Sequence, residues 1–167
     1  MVAVQEHKRH ARTALKVGVL TASDTRTPEN DASGQLIKEM VTGAGHHAAF
    51  YRIVPDDAQR IASAIVENLA QLDAMIVTGG TGIAPRDVSA DVVHRLIEKE
   101  LPGFGELFRM LSYQDIGSAA FLIRAVAGVR QGKFIAALPG STAGCRLAME
   151  KLILPELGHV ASLTNPQ

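Results

Sequence analysis

Four consecutive apolar residues, Ala74-Met75-Ile76-Val77, run straight into Thr78-Gly79-Gly80-Thr81-Gly82. A short run with no polar face reads as a strand buried on both sides, the habit of parallel sheets covered by helices. Glycines at three of the next five positions let the backbone turn sharply at the strand's carboxyl end. Val17-Gly18-Val19-Leu20-Thr21 reads as a second buried strand, ended by the turn-forming run Ser23-Asp24-Thr25-Arg26-Thr27-Pro28. His47 to Val54 reads as a third, stopped by Pro55-Asp56-Asp57.

Between these strands apolar residues recur at helical spacing. Leu36, Ile37, Met40 and Val41 follow a cap at Asp31 or Ser33, and Gly43 and Gly45 end that helix. Ile61, Ile65 and Leu69 mark the next. Val92, Val93, Leu96 and Ile97 place a third over residues 89–99, and after an interruption at Pro102-Gly103 the run Phe104 to Leu111 is helical. Arg124 to Val129 and Lys133 to Leu138, joined at Gln131-Gly132, predict a β-hairpin, followed by a long helix over 143–157. This order predicts an α/β fold, a three-layer α/β/α sandwich with a mostly parallel central sheet and a C-terminal β-hairpin. One domain is expected over 16–160, between a basic tail at 1–15 and a short C-terminal tail at 161–167. The basic tail reads either as a disordered end or as a segment packed on a neighbouring subunit.

Composition narrows the partners. Lys and Arg together number 17, as do Asp and Glu, so global charge gives no sign of nucleic acid or membrane. The absence of Trp and the low aromatic content argue against stacking platforms for single strands. Cys145 is the only cysteine, so no intrachain disulfide can form, and its place inside a helix reads as an inert core thiol. The six His show no metal-ligand spacing. With no export signal and no apolar run long enough to span a bilayer, the chain is expected in the cytoplasm.

The Gly-rich segment lies where open α/β sheets bind ligands, at the carboxyl end of a central strand. Its backbone N–H groups can converge on an anion, and the hydroxyls of Thr78 and Thr81 add donors. It is neither a Walker loop nor a dinucleotide fingerprint, because the Lys and the glycine spacing are missing. Gly80→Val is expected to impair ligand binding more than folding. Pro85-Arg86-Asp87 follows, so a cation and a carboxylate leave the same pocket. Asp87 reads either as an oxygen ligand for Mg²⁺ beside phosphates or as the cap of the next helix. Asp56-Asp57 carries the same two alternatives. If the strands are parallel neighbours, Ser23, Asp24, Asp56, residues 78–82, Asp87 and Ser141 share one rim.

These residues, with Thr21-Ala22-Ser23-Asp24-Thr25-Arg26, Asp31-Ala32-Ser33-Gly34, Pro102-Gly103-Phe104-Gly105-Glu106 to Ser112, Arg124-Ala125-Val126-Ala127-Gly128 and Leu138-Pro139-Gly140-Ser141, resemble the molybdenum cofactor biosynthesis protein B and molybdopterin adenylyltransferase family. The resemblance spans roughly residues 16–158. Pro139-Gly140-Ser141-Thr142 and Cys145-Arg146 look like the protein B branch, while Asp56 and Asp87 match the acids of the catalytic branch. The competence-damage proteins share the fold, but their loop usually reads Gly-Gly-Leu-Gly-Pro-Thr, unlike Gly-Gly-Thr-Gly-Ile-Ala-Pro-Arg-Asp here.

The resemblance implies a molybdopterin-binding-like fold and a reaction. The terminal phosphate of molybdopterin attacks the α-phosphorus of ATP, giving adenylyl-molybdopterin and pyrophosphate. It implies Asp56 and Asp87 as catalytic residues and ligands of Mg²⁺. It implies substrate binding by Ser23, Asp24, Thr78, Gly79, Gly80, Thr81, Gly82, Glu106, Ser112, Pro139, Gly140 and Ser141, in a homotrimer or homohexamer. The alternative within the family is a protein that holds molybdopterin without turnover.

Overall fold

The computed structural model describes residues 12–164. The apolar runs form β1 (Lys16–Ala22), β2 (His47–Val54), β3 (Ala74–Thr78), β5 (Val126–Arg130) and β6 (Lys133–Leu138), and a two-residue strand, β4, forms at Lys99–Glu100. Among the described residues they make a six-stranded sheet in the order β2-β1-β3-β6-β5-β4. β2, β1, β3 and β6 run parallel, and the hairpin β5–β6 and the pair β4–β5 are antiparallel. The helices are α1 (Ala32–Gly43), α2 (Ala58–Leu69), α3 (Ser89–Leu96), α4 (Pro102–Ile116), α5 (Thr142–Ala148) and α6 (Leu154–Thr164).

Side chains alternate across the sheet, and each face has its own core. On one face Val17, Val19, Ile76, Ala136 and Leu138 pack with Ile37 and Val41 of α1, Phe108 of α4, Cys145 of α5 and Leu157 of α6. On the other, Leu20, Met75, Val77, Ile135 and Ala137 pack with Ile61, Ile65 and Leu69 of α2 and Val92 and Val93 of α3. β1 leads through α1 to β2 on one side, whereas β2 leads through α2 to β3 on the other. The strand order therefore reverses between β1 and β3, which opens a crevice beyond their carboxyl ends.

The elements depart from the sequence pattern in three places. α3 stops at Leu96 rather than Lys99, because the next N–H groups pair with the free edge of β5: Glu98 N donates to Val129 O and Leu101 N to Ala127 O, both at 2.8 Å. Exposed charged residues at an edge give no apolar signal, so β4 escapes the pattern. α4 begins at Pro102, not Phe104, since Pro suits the first helical turn, and it runs to Ile116 before Gly117 at φ 60° ends it. The helix expected over 143–157 starts at Thr142 and passes through a widened turn at Met149–Ile153 before α6. Pro155 follows that turn; it has no N–H to donate and its ring crowds the preceding carbonyls, which the widened turn accommodates.

Contacts extend to both ends of the described residues. Residues 1–11 and 165–167 lie outside the described residues. Arg12, assigned to the basic tail, pairs with Asp73 at 3.1 Å, and its N–H donates to Gly158 O. Leu15 is buried in the core. At the other end α6 continues to Thr164 with Ala161 buried. A basic composition alone did not distinguish a loose end from one clipped to an acid.

Candidate functional site

Parallel register aligns the carboxyl ends of four strands. Ala22 lies opposite Val54, Thr21 opposite Thr78, and Thr78 opposite Leu138. The residues that follow each strand therefore emerge side by side, and the ladders run on into them: Ser23 N donates to Val54 O at 2.8 Å and Gly79 N to Leu138 O at 3.0 Å. They enclose a cavity of about 320 Å³ lined by Thr21, Ala22, Ser23, Asp24, Thr25, Arg26, Asp31, Ser33, Asp56, Thr78, Gly79, Gly80, Arg86, Asp87 and Gly140.

The turn after β3 needs glycine at two positions. Gly79 (φ 96°) passes so close to Ala22 O that a Cβ would strike it, and Gly80 (φ 64°) lies over Ser89, whose Oγ would be 2.6 Å from an added Cβ. Ser89 N donates to Gly80 O at 3.0 Å. Beneath the turn Thr78 Oγ1 and Cys145 Sγ both donate to Pro139 O, at 2.9 and 3.1 Å. Burial pushes the Cys145 thiol above its ordinary range, which fits an inert core group rather than a nucleophile.

The acids converge from separate loops. Asp24 N donates to Asp56 Oδ2 at 3.3 Å and Asp56 N returns a bond to Asp24 Oδ1 at 3.1 Å, which ties the loop after β1 to the loop after β2. Burial first, then the neighbouring charges of Asp24 and Asp87, push the Asp56 carboxyl above the ordinary range, against a bond from Asp24 N and the charge of Arg86. Asp57 takes the capping role, accepting from Arg60 N at 2.8 Å at the start of α2. Asp87 does not cap α3: the residue before that helix is Val88, and no side chain caps it. Its Oδ2 instead accepts from Ala84 N at 2.8 Å, within the loop.

α1 reaches the same cavity with its N-terminus. Asp31, not Ser33, is the cap, accepting from Gly34 N at 3.0 Å. Its other oxygen accepts from Thr21 Oγ1 at 2.6 Å and Tyr51 OH at 2.8 Å, so this carboxylate is buried with both oxygens bonded. Tyr51, partly buried and donating to Asp31, is held well above the usual phenol range. Ser33 Oγ donates to Gly140 O at 2.8 Å and fixes α1 to the loop after β6.

Not every expected residue reaches the cavity. Thr81 and Gly82 lie just past it, their carbonyls accepting from Arg124 N and Arg124 Nε. Pro139 and Ser141 flank Gly140, and Ser141 caps α5 by accepting from Gly144 N at 3.2 Å. Glu106 and Ser112 are not lining residues, Glu106 being exposed and Ser112 buried in α4. The reason is topological: α4 packs on β5, two strands beyond β3. Asp31 and Thr21 also line the cavity; in the sequence they belong to motifs of the family resemblance, and Asp31 reads as a helix cap, but neither is an expected site residue.

A mostly parallel sheet between two helical layers, with a glycine turn and carboxylates at its strand reversal, defines an α/β protein with a polar cavity at the carboxyl ends of its strands, where open α/β sheets hold ligands. Within that class the match is specific. The chain belongs to the family described as "Probable molybdopterin binding domain", whose model matches residues 18–159. It is 47% identical over 162 residues to molybdenum cofactor biosynthesis protein B of Halalkalibacterium halodurans and 49% identical over 162 residues to that of Bacillus subtilis. In both cases the match covers 95% of this chain and 95% of the relative. A crystal structure of molybdenum cofactor biosynthesis protein B superposes with a TM-score of 0.90 at 46% identity, over 94% of this chain and 99% of that one.

Proposed function

We propose that this protein acts in molybdenum cofactor biosynthesis by binding molybdopterin in the rim cavity and transferring AMP to it from ATP. The observation that carries the reading is the meeting of Asp56, Asp87 and Arg86 with the Gly79-Gly80 turn in one cavity. The reaction forms a bond between the terminal phosphate oxygen of molybdopterin and the α-phosphorus of ATP, breaks the α–β phosphoanhydride bond and releases pyrophosphate. Such transfers ask for positioning and charge neutralisation rather than a protein nucleophile. The backbone of the glycine turn and the hydroxyl of Ser23 would orient the pterin phosphate, and Arg86 would offset charge that builds as the anhydride opens.

The donor set fits Mg²⁺. The lining brings Asp56 and Asp87 from separate loops into one cavity, with Asp24 bonded to Asp56, and carboxylate oxygens are the ligands a hard cation takes. That is the usual Mg²⁺ arrangement, with phosphate oxygens and water completing the shell. Asp56 and Asp87 would hold the ion, and the like charges that raise Asp56 are what a bound cation would relieve. When bound, Mg²⁺ supplies charge neutralisation at the phosphates of ATP.

A second reading has its own support. The Pro139-Gly140-Ser141 loop with Cys145-Arg146, and the similarity to proteins named protein B, favour a member that holds the pterin without turnover. AMP transfer from ATP to purified molybdopterin, measured with and without Mg²⁺, separates the two: tight pterin binding with no transfer would overturn the enzymatic reading. The proposal includes a homo-oligomer, trimer or hexamer. Leu107, Met110, Tyr113 and Ile116 recur every third residue along α4 and, with Phe121, are exposed, which supports self-association on that face. Among the described residues no helix is long and apolar enough to cross a membrane.

A further inference from the structure

Arg124 lies before β5, outside the cavity, yet it holds more of the cavity's loop than any residue inside it. Its backbone N donates to Thr81 O at 3.0 Å. Its Nε donates to Gly82 O at 2.8 Å and its Nη2 to Asp87 O at 2.7 Å. Nη1 and Nη2 reach the two carboxylate oxygens of Asp91 at 2.8 and 3.0 Å. One guanidinium thus grips both ends of segment 82–87, while Asp91, in the first turn of α3, fixes the plane of the fork.

Among the described residues nothing else secures that segment comparably. Ile83, Ala84, Pro85 and Arg86 are exposed, and neither core includes a residue from 82–87. Inside the segment, Asp87 Oδ2 takes Ala84 N, which closes the loop on itself without tying it to the sheet. In a trans peptide the N–H lies opposite the C=O. Drawing the Gly82 and Asp87 carbonyls toward Arg124 therefore directs the N–H groups of Ile83 and Val88 away from it. The loop that carries Arg86 and Asp87 has its conformation set from behind.

We propose that Arg124 is a positioning residue that locks segment 82–87 and so places Asp87 and Arg86 for the metal-bound nucleotide. The proposal rests on the adenylylation reading for its catalytic consequence, and on the hydrogen bonds alone for the lock. A lysine in its place keeps the charge but gathers its donors on a single nitrogen, so it lacks the planar fork that reaches Gly82 O, Asp87 O and the Asp91 carboxylate together.

The test pairs two measurements on full-length Arg124→Lys and Asp91→Asn. Amide hydrogen exchange of the 80–88 peptide should quicken about tenfold in Arg124→Lys and less in Asp91→Asn, which keeps the bonds to Gly82 and Asp87, while β1 and β3 exchange as in the wild type. In steady-state adenylyl transfer, KM for Mg-ATP should rise about tenfold in Arg124→Lys with molybdopterin affinity within about twofold of wild type. Unchanged exchange in 80–88, or equal acceleration throughout the sheet, would overturn the lock. Wild-type KM for Mg-ATP in a protein whose loop exchanges faster would overturn its catalytic consequence. If the wild type transfers no AMP, the adenylylation reading falls and the exchange result decides the lock by itself.

Discussion

Asp56 is placed at a cost to the fold. Its carboxyl is raised by burial and by Asp24 and Asp87, so the folded chain binds that proton more tightly than the unfolded chain does. Stability from this group is therefore present at low pH and lost as pH climbs from the ordinary aspartate range, about 4, through the raised value. Asp56→Asn, whose amide oxygen can still accept from Asp24 N, should melt at a higher temperature than wild type near neutrality and at the same temperature below about pH 4. Melting curves at the two pH values check this; a difference that persists in acid would contradict it. Asp87→Asn should behave otherwise. Asparagine can still accept from Ala84 N, so stability should stay within about 0.5 kcal/mol of wild type. Losing a charge worth about 3 kcal/mol in the transition state would slow transfer on the order of a hundredfold. Full turnover at saturating Mg²⁺ would remove Asp87 from the chemistry. Gly80→Val is now expected to damage folding first. The added Cβ points at Ser89, not into the cavity, and valine at φ 64° is strained by roughly 1–3 kcal/mol, which a lowered melting temperature would reveal.

At the scale of elements, the N-terminus of α1 is a joint. Asp31 binds Gly34 of its own helix, Thr21 of β1 and Tyr51 of β2, and Ser33 adds the loop after β6. Asp31→Ala would leave two hydroxyls and an N–H without their partner, a loss of about 2–4 kcal/mol measurable as a shift in the denaturant midpoint. A midpoint within experimental error of wild type would show that water replaces the carboxylate. This joint also marks the limit of what was legible in the sequence. Local signals carried far: the unbroken apolar run at Ala74–Val77 marked β3, the spacing of Ile61, Ile65 and Leu69 marked α2, and the glycines after Thr78 marked the turn. Contacts made across the fold were not legible. Nothing near Tyr51 says that its hydroxyl will meet an acid twenty residues earlier in the chain. Likewise Arg124 read as the start of a strand and as part of the family resemblance, with no role in holding the loop, because its acceptors lie 33 to 43 positions away. β4 was hidden for a different reason, since an edge pair of charged residues has no hydrophobic period to read.

For the molecule as a whole, the proposed homo-oligomer rests on the exposed apolar residues of α4 and on Phe121 in the turn that follows it. Phe121→Asp should shift the mass measured by light scattering toward the monomer while leaving the far-ultraviolet circular dichroism unchanged; an unaltered mass would place the subunit contact elsewhere. The sheet order has a consequence for how the protein is made. β3 lies inside the finished sheet, but its neighbour β6 is the last of the described strands, with Ala74 waiting for Phe134 and Thr78 for Leu138. During synthesis β1, β2 and β3 can assemble as soon as they emerge, and for as long as the next 55 or so residues take to follow, a few seconds at ribosomal speed, β3 offers an open edge of unpaired N–H and C=O groups between mostly apolar side chains. A nascent chain stalled in that interval would expose a template for pairing with its neighbours on the same message.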